Sequence, residues 1–281
     1  MTIASGDGAE ISVSLHGGHV CSWRTADGIE RLFLSPLTKW DGSTAIRGGI
    51  PVIFPQFANR GALPKHGFAR TAQWSLIASE VGENGNGLLH LTMSDSAESR
   101  LQFPYHFKLD LHITFSGASL DTALFVTNTG EQAFSFTCAL HTYLAAEVKQ
   151  VSINGLAGSR CENSVPDSRL SFDGDGILRI NSEVDSIFFE VGAPVTLVAN
   201  DATVTMQQVG FADVVVWNPW IEVSKSIADL EDDSYKNFVC IESAAIEKPL
   251  TLAAGEQWSG HQQLMACVPS ITTSSENIVV S

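Results

Sequence analysis

The chain has 281 residues, 31 acidic against 16 basic, giving a net charge of −15. A field of that sign repels polyphosphates and anionic lipid, which excludes nucleic acid and membrane surfaces as partners. With 44% apolar and only 17% charged residues, the chain can bury a large core, and wholesale disorder is excluded. In chain order, strand patterns fall at 11–15 and 88–93, and then at 105–115, where Tyr105, Phe107, Leu109, Leu111, Ile113 and Phe115 alternate with His106, Lys108, Asp110, His112 and Thr114. Unbroken alternation of this kind predicts a half-buried strand with one solvated face. Segments 120–128 and 134–143 continue it as a meander, and further strands are predicted at 186–191, 195–199, 204–209, 214–217, 238–241 and 257–267. Only 224–237 reads as a helix, with Asp229, Glu231, Asp232 and Asp233 on a solvated face or loop. No internal repeat or linker divides the chain, and 270–281 is left as a frayed tail. More than ten strands in one undivided chain predict an all-β fold, a single large antiparallel β-sandwich over residues 1–281.

The five cysteines Cys21, Cys138, Cys161, Cys240 and Cys267 form no CxxC pair, so neither a disulfide framework nor a zinc ribbon is expected. They suit a reducing compartment. The first residues carry no secretory leader pattern, and no window holds the ~20 apolar residues of a membrane span. The expectation is a cytoplasmic protein. No HExxH motif or compact carboxylate cluster predicts a metal, and no Walker or dinucleotide fingerprint predicts a cofactor.

Residues 42–79 contain no Asp or Glu, where the chain average predicts about four, yet they carry Arg47, Arg60, Lys65 and Arg70. The stretch is dense in Gly and Pro and therefore reads as ordered loop. Glycines such as Gly48, Gly49 and Gly67 let backbone approach a ligand, and arginines offer forked donors to phosphate or carboxylate. An anion pocket on an otherwise acidic protein is the functional reading.

Within 134–143, His141 shares parity with Ser135, Thr137 and Ala139, opposite Phe134, Phe136, Cys138 and Leu140. It therefore points to the less apolar face, where small neighbours leave room for a ligand. Glu242 closes the apolar run Phe238–Ile241, and a carboxylate at the end of a buried strand is costly unless paired or used. Asp185 precedes a strand and reads equally as a hydroxyl acceptor or a turn residue. Trp217 and Trp220 flank a turn, one or both available for core packing or for the C–H face of a sugar.

RGGIP at 47–51, FPQF at 54–57, LPKHGFAR at 63–70, LHTYL at 140–144, VVWNPW at 215–220 and FVCIES at 238–243 occur in one order. Together they resemble the glucose-6-phosphate 1-epimerases (hexose-6-phosphate mutarotases) of the aldose 1-epimerase superfamily, over residues 10–268. The resemblance implies a galactose-mutarotase-type sandwich that interconverts hexose-6-phosphate anomers; no cofactor is expected, because sugar anomers already equilibrate slowly in water, and a monomer is the default expectation. It implies His141 as general acid and Glu242 as general base, with Arg47, Lys65, His66, Arg70 and Asp185 contacting substrate. Lys65 stands where Gln is frequent, Ser186 where Arg usually follows the acid, and Arg60 lies in a loop of variable length. An acid role for His141 predicts a pKa raised by neighbouring carboxylates. An epimerase of free sugars and a non-catalytic sugar-phosphate binder remain the alternatives.

Overall fold

The computed structural model describes residues 1–166, 170, 172–199 and 202–267; the tail 270–281 lies outside them. The chain opens with a small antiparallel sheet of β1 (Thr2–Ala4), β2 (Glu10–Ser14) and β3 (His19–Arg24). After the short β4 (Val52–Ile53), a meander runs through β5 (Ser75–Val81), β6 (Gly87–Ser94), β7 (Phe107–Ser116) and β8 (Ser119–Asn128). Next come β9 (Phe134–Leu140), β10 (Tyr143–Ala145), β11 (Ser152–Asn154), β12 (Cys161–Asn163) and β13 (Val184–Phe188). The last strands are β14 (Val195–Ala199), β15 (Ala202–Val209), β16 (Asp213–Asn218), β17 (Phe238–Leu252) and β18 (Gln257–Cys267). Two large antiparallel sheets result. One has seven strands in the order β12-β13-β16-β17-β9-β4, with β10 also on β17; the other has eight, in the order β11-β14-β15-β18-β8-β7-β6-β5.

Period-2 alternation decides which residues meet between the sheets. On β7, Phe107, Leu109, Leu111, Ile113 and Phe115 are each at most 1% exposed, while His112 faces solvent and Asp110 is covered by ion pairs to His90 and Lys108. Leu91, Leu124, Val126 and Leu264 of the eight-stranded sheet join Leu140, Val214, Val216, Val239 and Ile241 of the seven-stranded one in a continuous apolar layer. Each such side chain contributes roughly 1.5–3 kcal/mol through burial. The opposite parity of the seven-stranded sheet is covered too: Ala139, Ile187, Val215 and Ala244 form one cluster there, and Tyr143, Phe238 and Cys240 another. That outer face, roofed by loops, carries the chemistry.

Several segments differ from the sequence expectation, among them β3 and β5, which no strand was predicted to occupy. The predicted strand 134–143 is interrupted at His141–Thr142, where the His141 N–H leaves the ladder and donates to Pro51 O at 3.0 Å. The strand predicted at 238–241 continues to Leu252, with a register shift between Ala245 and Leu250. The predicted helix 224–237 is instead a short helix, Trp220–Ser226, a turn, and a 3₁₀ turn, Ser234–Asn237. Its helical start is set by Pro219, whose φ of −68° suits an N-terminus. A helix the sequence did not announce, Ala97–Gln102, is capped reciprocally by Ser96 and Ser99; with Ser rather than Glu or Gln at the third position, the usual signature is missing.

Asn218 fastens this last region. Its amide donates to Tyr235 O at 2.9 Å and Phe238 O at 2.8 Å in buried bonds, and its carbonyl accepts from the Trp220 N–H at 3.0 Å; Asn218 itself is fully buried. Replacing Asn218 with Ala is expected to cost about 1–3 kcal/mol in urea unfolding, because two buried carbonyls lose their donors. Unfolding within a few tenths of wild type would contradict that role.

Candidate active site

The basic loop is held against the sheet by backbone that only glycine permits. At Gly49, with φ +60°, a Cβ would stand 2.1 Å from Val20 O; at Gly67, with φ +64°, it would stand 2.3 Å from Phe54 O. Buried His19 secures the first turn, its Nε2–H donating to Gly48 O at 2.8 Å. Next to it, Arg47 donates from Nε to Asp229 Oδ1 at 3.1 Å and from Nη1 to the Tyr143 hydroxyl at 3.3 Å. His66 takes a left-handed φ of 68°, a strained conformation for a non-glycine residue. Two bonds to Ala58 over-determine it: the His66 N–H donates to Ala58 O at 3.0 Å, and Nδ1 accepts from the Ala58 N–H at 3.3 Å. The ring proton therefore sits on Nε2. Arg70 donates from Nη2 to Lys65 O at 2.9 Å, and its buried Nε has no partner.

Strand alternation supplies the floor. His141, Glu242, Trp217 and Asp185 come from four neighbouring segments of the seven-stranded sheet and share its outer face. The His141 ring stacks on Tyr143 at 4.9 Å and 11°, with His66 at 5.5 Å and Trp217 at 5.9 Å edge-on. His141 Nδ1 lies 3.3 Å from Glu242 Oε1, with the histidine side chain 10% and the glutamate 1% exposed. Neither His141 Nδ1 nor Glu242 Oε2 has an aligned hydrogen-bond partner. Three orphaned buried polar atoms at one place, Arg70 Nε among them, are the mark of a site shaped for a ligand.

A cavity of about 330 Å³ brings these groups together. The seven residues to which the resemblance assigns catalysis or substrate contact all line it: Arg47, Lys65, His66 and Arg70 from the loop, and His141, Asp185 and Glu242 from the sheet. A hollow of similar volume beside Asp121 and His261 has its own histidine–carboxylate pair, 4.0 Å apart, but it is more exposed and no Lys or Arg lines it. Arg60 lies outside the cavity, ion-paired with Glu162. Of the two indoles, Trp217 lines the cavity and Trp220 packs on Tyr235 at 5.2 Å. Sequence reasoning missed Glu183, which lines the cavity beside Asp185, and the Val223, Ser226 and Ile227 wall. It also missed Tyr143 and Asp229 as the partners of Arg47. Tyr143 lay within LHTYL, whereas Asp229 stands among four acids that only tertiary structure tells apart.

Burial dominates the electrostatics. It pushes His66 down to about 2, helped by Arg70 and Lys65. It also drives His141 well below the ordinary histidine value, with His66, Arg70 and Arg47 adding to the push. Glu242 moves the opposite way, held well above the carboxylate range by burial and by Asp185, with Lys65 opposing. Asp185 is raised by burial against the pull of Lys65 and Arg60. Arg47 resists: burial works against its charge, yet Tyr143 and Asp229 hold the guanidinium firmly ionised. The expected upward shift of His141 is thus overturned, because desolvation and three cationic or dipolar neighbours outweigh one carboxylate that is itself neutralised. Burial thus favours the neutral form of both members of the pair.

Cys240, His141 and Glu242 place potential ligand atoms within 4.8 Å of one another. The set suits a metal poorly: burial and Glu242 hold the Cys240 thiol well above its normal pKa, and Arg47, Lys65 and Arg70 surround the same cavity.

The aldose 1-epimerase family model matches residues 1–265. The chain belongs to the aldose 1-epimerase family. A protein of Cenchrus ciliaris named "Putative glucose-6-phosphate 1-epimerase" is 35% identical over 269 residues, spanning 92% of this chain and 81% of that one. One of the same name from Escherichia coli K12 is 34% identical over 239 residues, 83% of this chain and 79% of its own. Among solved structures, a mutarotase-like protein (YeaD) of Salmonella typhimurium superposes with a TM-score of 0.84 at 27% identity, covering 92% of this chain and 88% of that one. Galactose 1-epimerase of Lactobacillus acidophilus, at 14% identity and TM-score 0.71 over 95% and 93% of the chains, shares the fold. The large antiparallel sandwich expected from strand alternation is therefore that of the galactose mutarotases.

The directions above have a direct readout. At pH 6, below the ordinary histidine pKa of ~6.5, the ring ¹⁵N signals of His66 and His141 are expected to report neutral imidazoles. An imidazolium pattern for His141 in the unliganded protein would overturn the proton placement.

Proposed function

We propose that this family member interconverts the α and β anomers of a hexose-6-phosphate, with Glu242 as general base and His141 as general acid. The observation that carries the reading is the coexistence, in one cavity, of a buried His–Glu pair at 3.3 Å and two half-buried arginines, Arg47 and Arg70, the latter with a buried, unpartnered Nε donor. A neutral sugar offers the guanidiniums only hydroxyl acceptors, whereas a phosphate dianion offers charge-assisted ones to both. The names of the relatives from Cenchrus ciliaris and Escherichia coli point the same way.

Epimerisation needs two proton transfers and the reversible cleavage of one C–O bond. Glu242 as carboxylate takes the proton of the C1 hydroxyl while His141 as imidazolium donates one to the ring oxygen. The C1–O5 bond breaks, leaving the open aldehyde. Rotation about C1–C2 presents the other carbonyl face, and the ring recloses with both transfers reversed, so no proton is gained or lost over the cycle. The pair needs one proton, the number it already holds, but on His141 rather than Glu242. Phosphate binding supplies the shift: it cancels the charges of Arg47 and Arg70, two of the influences that keep His141 neutral. Asp185 and Glu183 accept sugar hydroxyls, Lys65 and the His66 Nε2–H donate to the substrate, and Trp217 offers an indole wall. The chemistry calls for neither cofactor nor metal. We place the protein in the cytosol as a monomer, in keeping with five unpaired cysteines, three of them buried.

Replacing Glu242 with Gln keeps the shape and removes the base; exchange of glucose-6-phosphate anomers, followed by saturation-transfer NMR, is expected to fall by about 10²–10⁴. Retained exchange would sink the mechanism. Replacing Arg70 with Ala removes a charge-assisted bond worth roughly 1.5–3 kcal/mol, so kcat/KM for glucose-6-phosphate is expected to drop by about 10- to 150-fold. Free glucose should lose little; an equal loss on both sugars would show that Arg70 does not read phosphate.

A further inference from the structure

Beneath the cavity, the apolar layer between the two sheets is interrupted by one small polar cluster. Gln262 of β18, 0% exposed, reaches across from the eight-stranded sheet. Its carbonyl accepts from the Thr142 hydroxyl at 2.7 Å, and its amide donates to the Ser243 hydroxyl at 3.1 Å and to Met206 Sδ at 3.5 Å. Thr142 and Ser243 are likewise 0% exposed. The Thr122 hydroxyl donates to Gln262 O at 3.3 Å, tying β18 to β8 at the same level.

Thr142 follows His141, and Ser243 follows Glu242. Strand alternation turns each of them inward as its neighbour turns outward into the cavity. One amide thus grips the residue behind each member of the acid–base pair. That grip matters most at Thr142, because the ladder is weak there: β9 pairs with β17 through Leu140 and Ser243, β10 resumes at Tyr143 and Cys240, and Ile241 N–H to Thr142 O at 3.1 Å bridges the gap. His141 sits in that interruption. A buried polar group in an otherwise apolar layer has to be fully partnered to be tolerated, and once partnered it fixes geometry more sharply than apolar packing does.

We propose that Gln262 is a positioning residue: by holding Thr142 and Ser243 from the opposite sheet, it sets the spacing of His141 and Glu242. This rests on the roles given to that pair above. The prediction follows from the sensitivity of proton transfer to placement, where an error near 1 Å can cost about a hundredfold.

The test replaces the whole cluster by apolar groups of similar shape, Gln262→Met with Thr142→Val and Ser243→Ala, so that no buried partner is orphaned. The triple variant is expected to keep the wild-type Tm to within a few degrees and its KM for glucose-6-phosphate to within about twofold. Its kcat for anomer exchange should fall about 10- to 100-fold, and the His141 ring ¹⁵N signals should move while those of His112 on the outer face stay put. Gln262→Met alone should show the same loss of kcat with a larger loss of Tm. Wild-type kcat with unmoved His141 signals in the triple variant would overturn the proposal, as would a kcat loss restored in full by cooling in proportion to Tm. Should the wild-type protein exchange no hexose-6-phosphate, the functional reading fails, and the His141 signals alone decide: displaced, they support the positioning role; unmoved, they refute it.

Discussion

An imidazole and a carboxyl buried side by side, 3.3 Å apart, are the constraint around which this protein is arranged. Neither group can be hydrated at that depth, so each must be partnered or neutral. The fold answers with geometry. Strand alternation aims His141 and Glu242 at the outer face of the seven-stranded sheet, and the same alternation aims Thr142 and Ser243 inward. A sheet face that carried such a pair in the open would be a wet and weakly coupled site. Here the glycine-rich loop, with close approaches at Gly49 and Gly67 that no side chain allows, closes over it.

That loop also reconciles the overall charge with the ligand. A net charge of −15 opposes any anion at long range, but screening confines that field to about 8–10 Å in physiological salt. At contact distance the local set decides, and Arg47, Lys65 and Arg70 line the same cavity as the pair. Asp229 does not defeat this. It is drawn out of the acidic run to orient Arg47 through Nε, and Tyr143 holds one Nη. An arginine fixed at two points loses little further freedom when it meets a phosphate, so more of the interaction is available for binding.

How much of this could be read from the chain follows from where the information resides. The strands were legible because alternation is a local consequence of one buried face: 195–199 and 257–267 fall where the pattern put them. The loop was legible by contrast, since a stretch without acids stands out in an acidic protein. What escaped was set by distant partners. The interruption at His141–Thr142 depends on Pro51, which takes the His141 N–H. The helix expected at 224–237 broke because Asp229 is needed by Arg47, some 180 residues earlier in the chain. The direction of the His141 shift was misjudged for the same reason: the nearest carboxylate was counted as a charge, although the burial that lowers His141 also neutralises Glu242.

This last point links recognition to chemistry. On the proposed mechanism the proton of the pair must move against the direction in which burial pushes both groups, from Glu242 to His141. Moving the proton from Glu242 to His141 creates a carboxylate and an imidazolium, a separation that low polarity resists and the two guanidiniums resist further. A phosphate dianion cancels the second obstacle, while the sugar hydroxyls, as donors to Glu242 Oε2 and acceptors near His141, reduce the first. A sugar without phosphate would supply only the hydroxyls. Discrimination at the phosphate end then arises in the protonation state of the pair as well as in affinity, so the arginines act on turnover and not on binding alone. On that mechanism the arginines that would read the phosphate and the acid–base pair form one electrostatic unit, since Arg47 and Arg70 line the same cavity and act on His141.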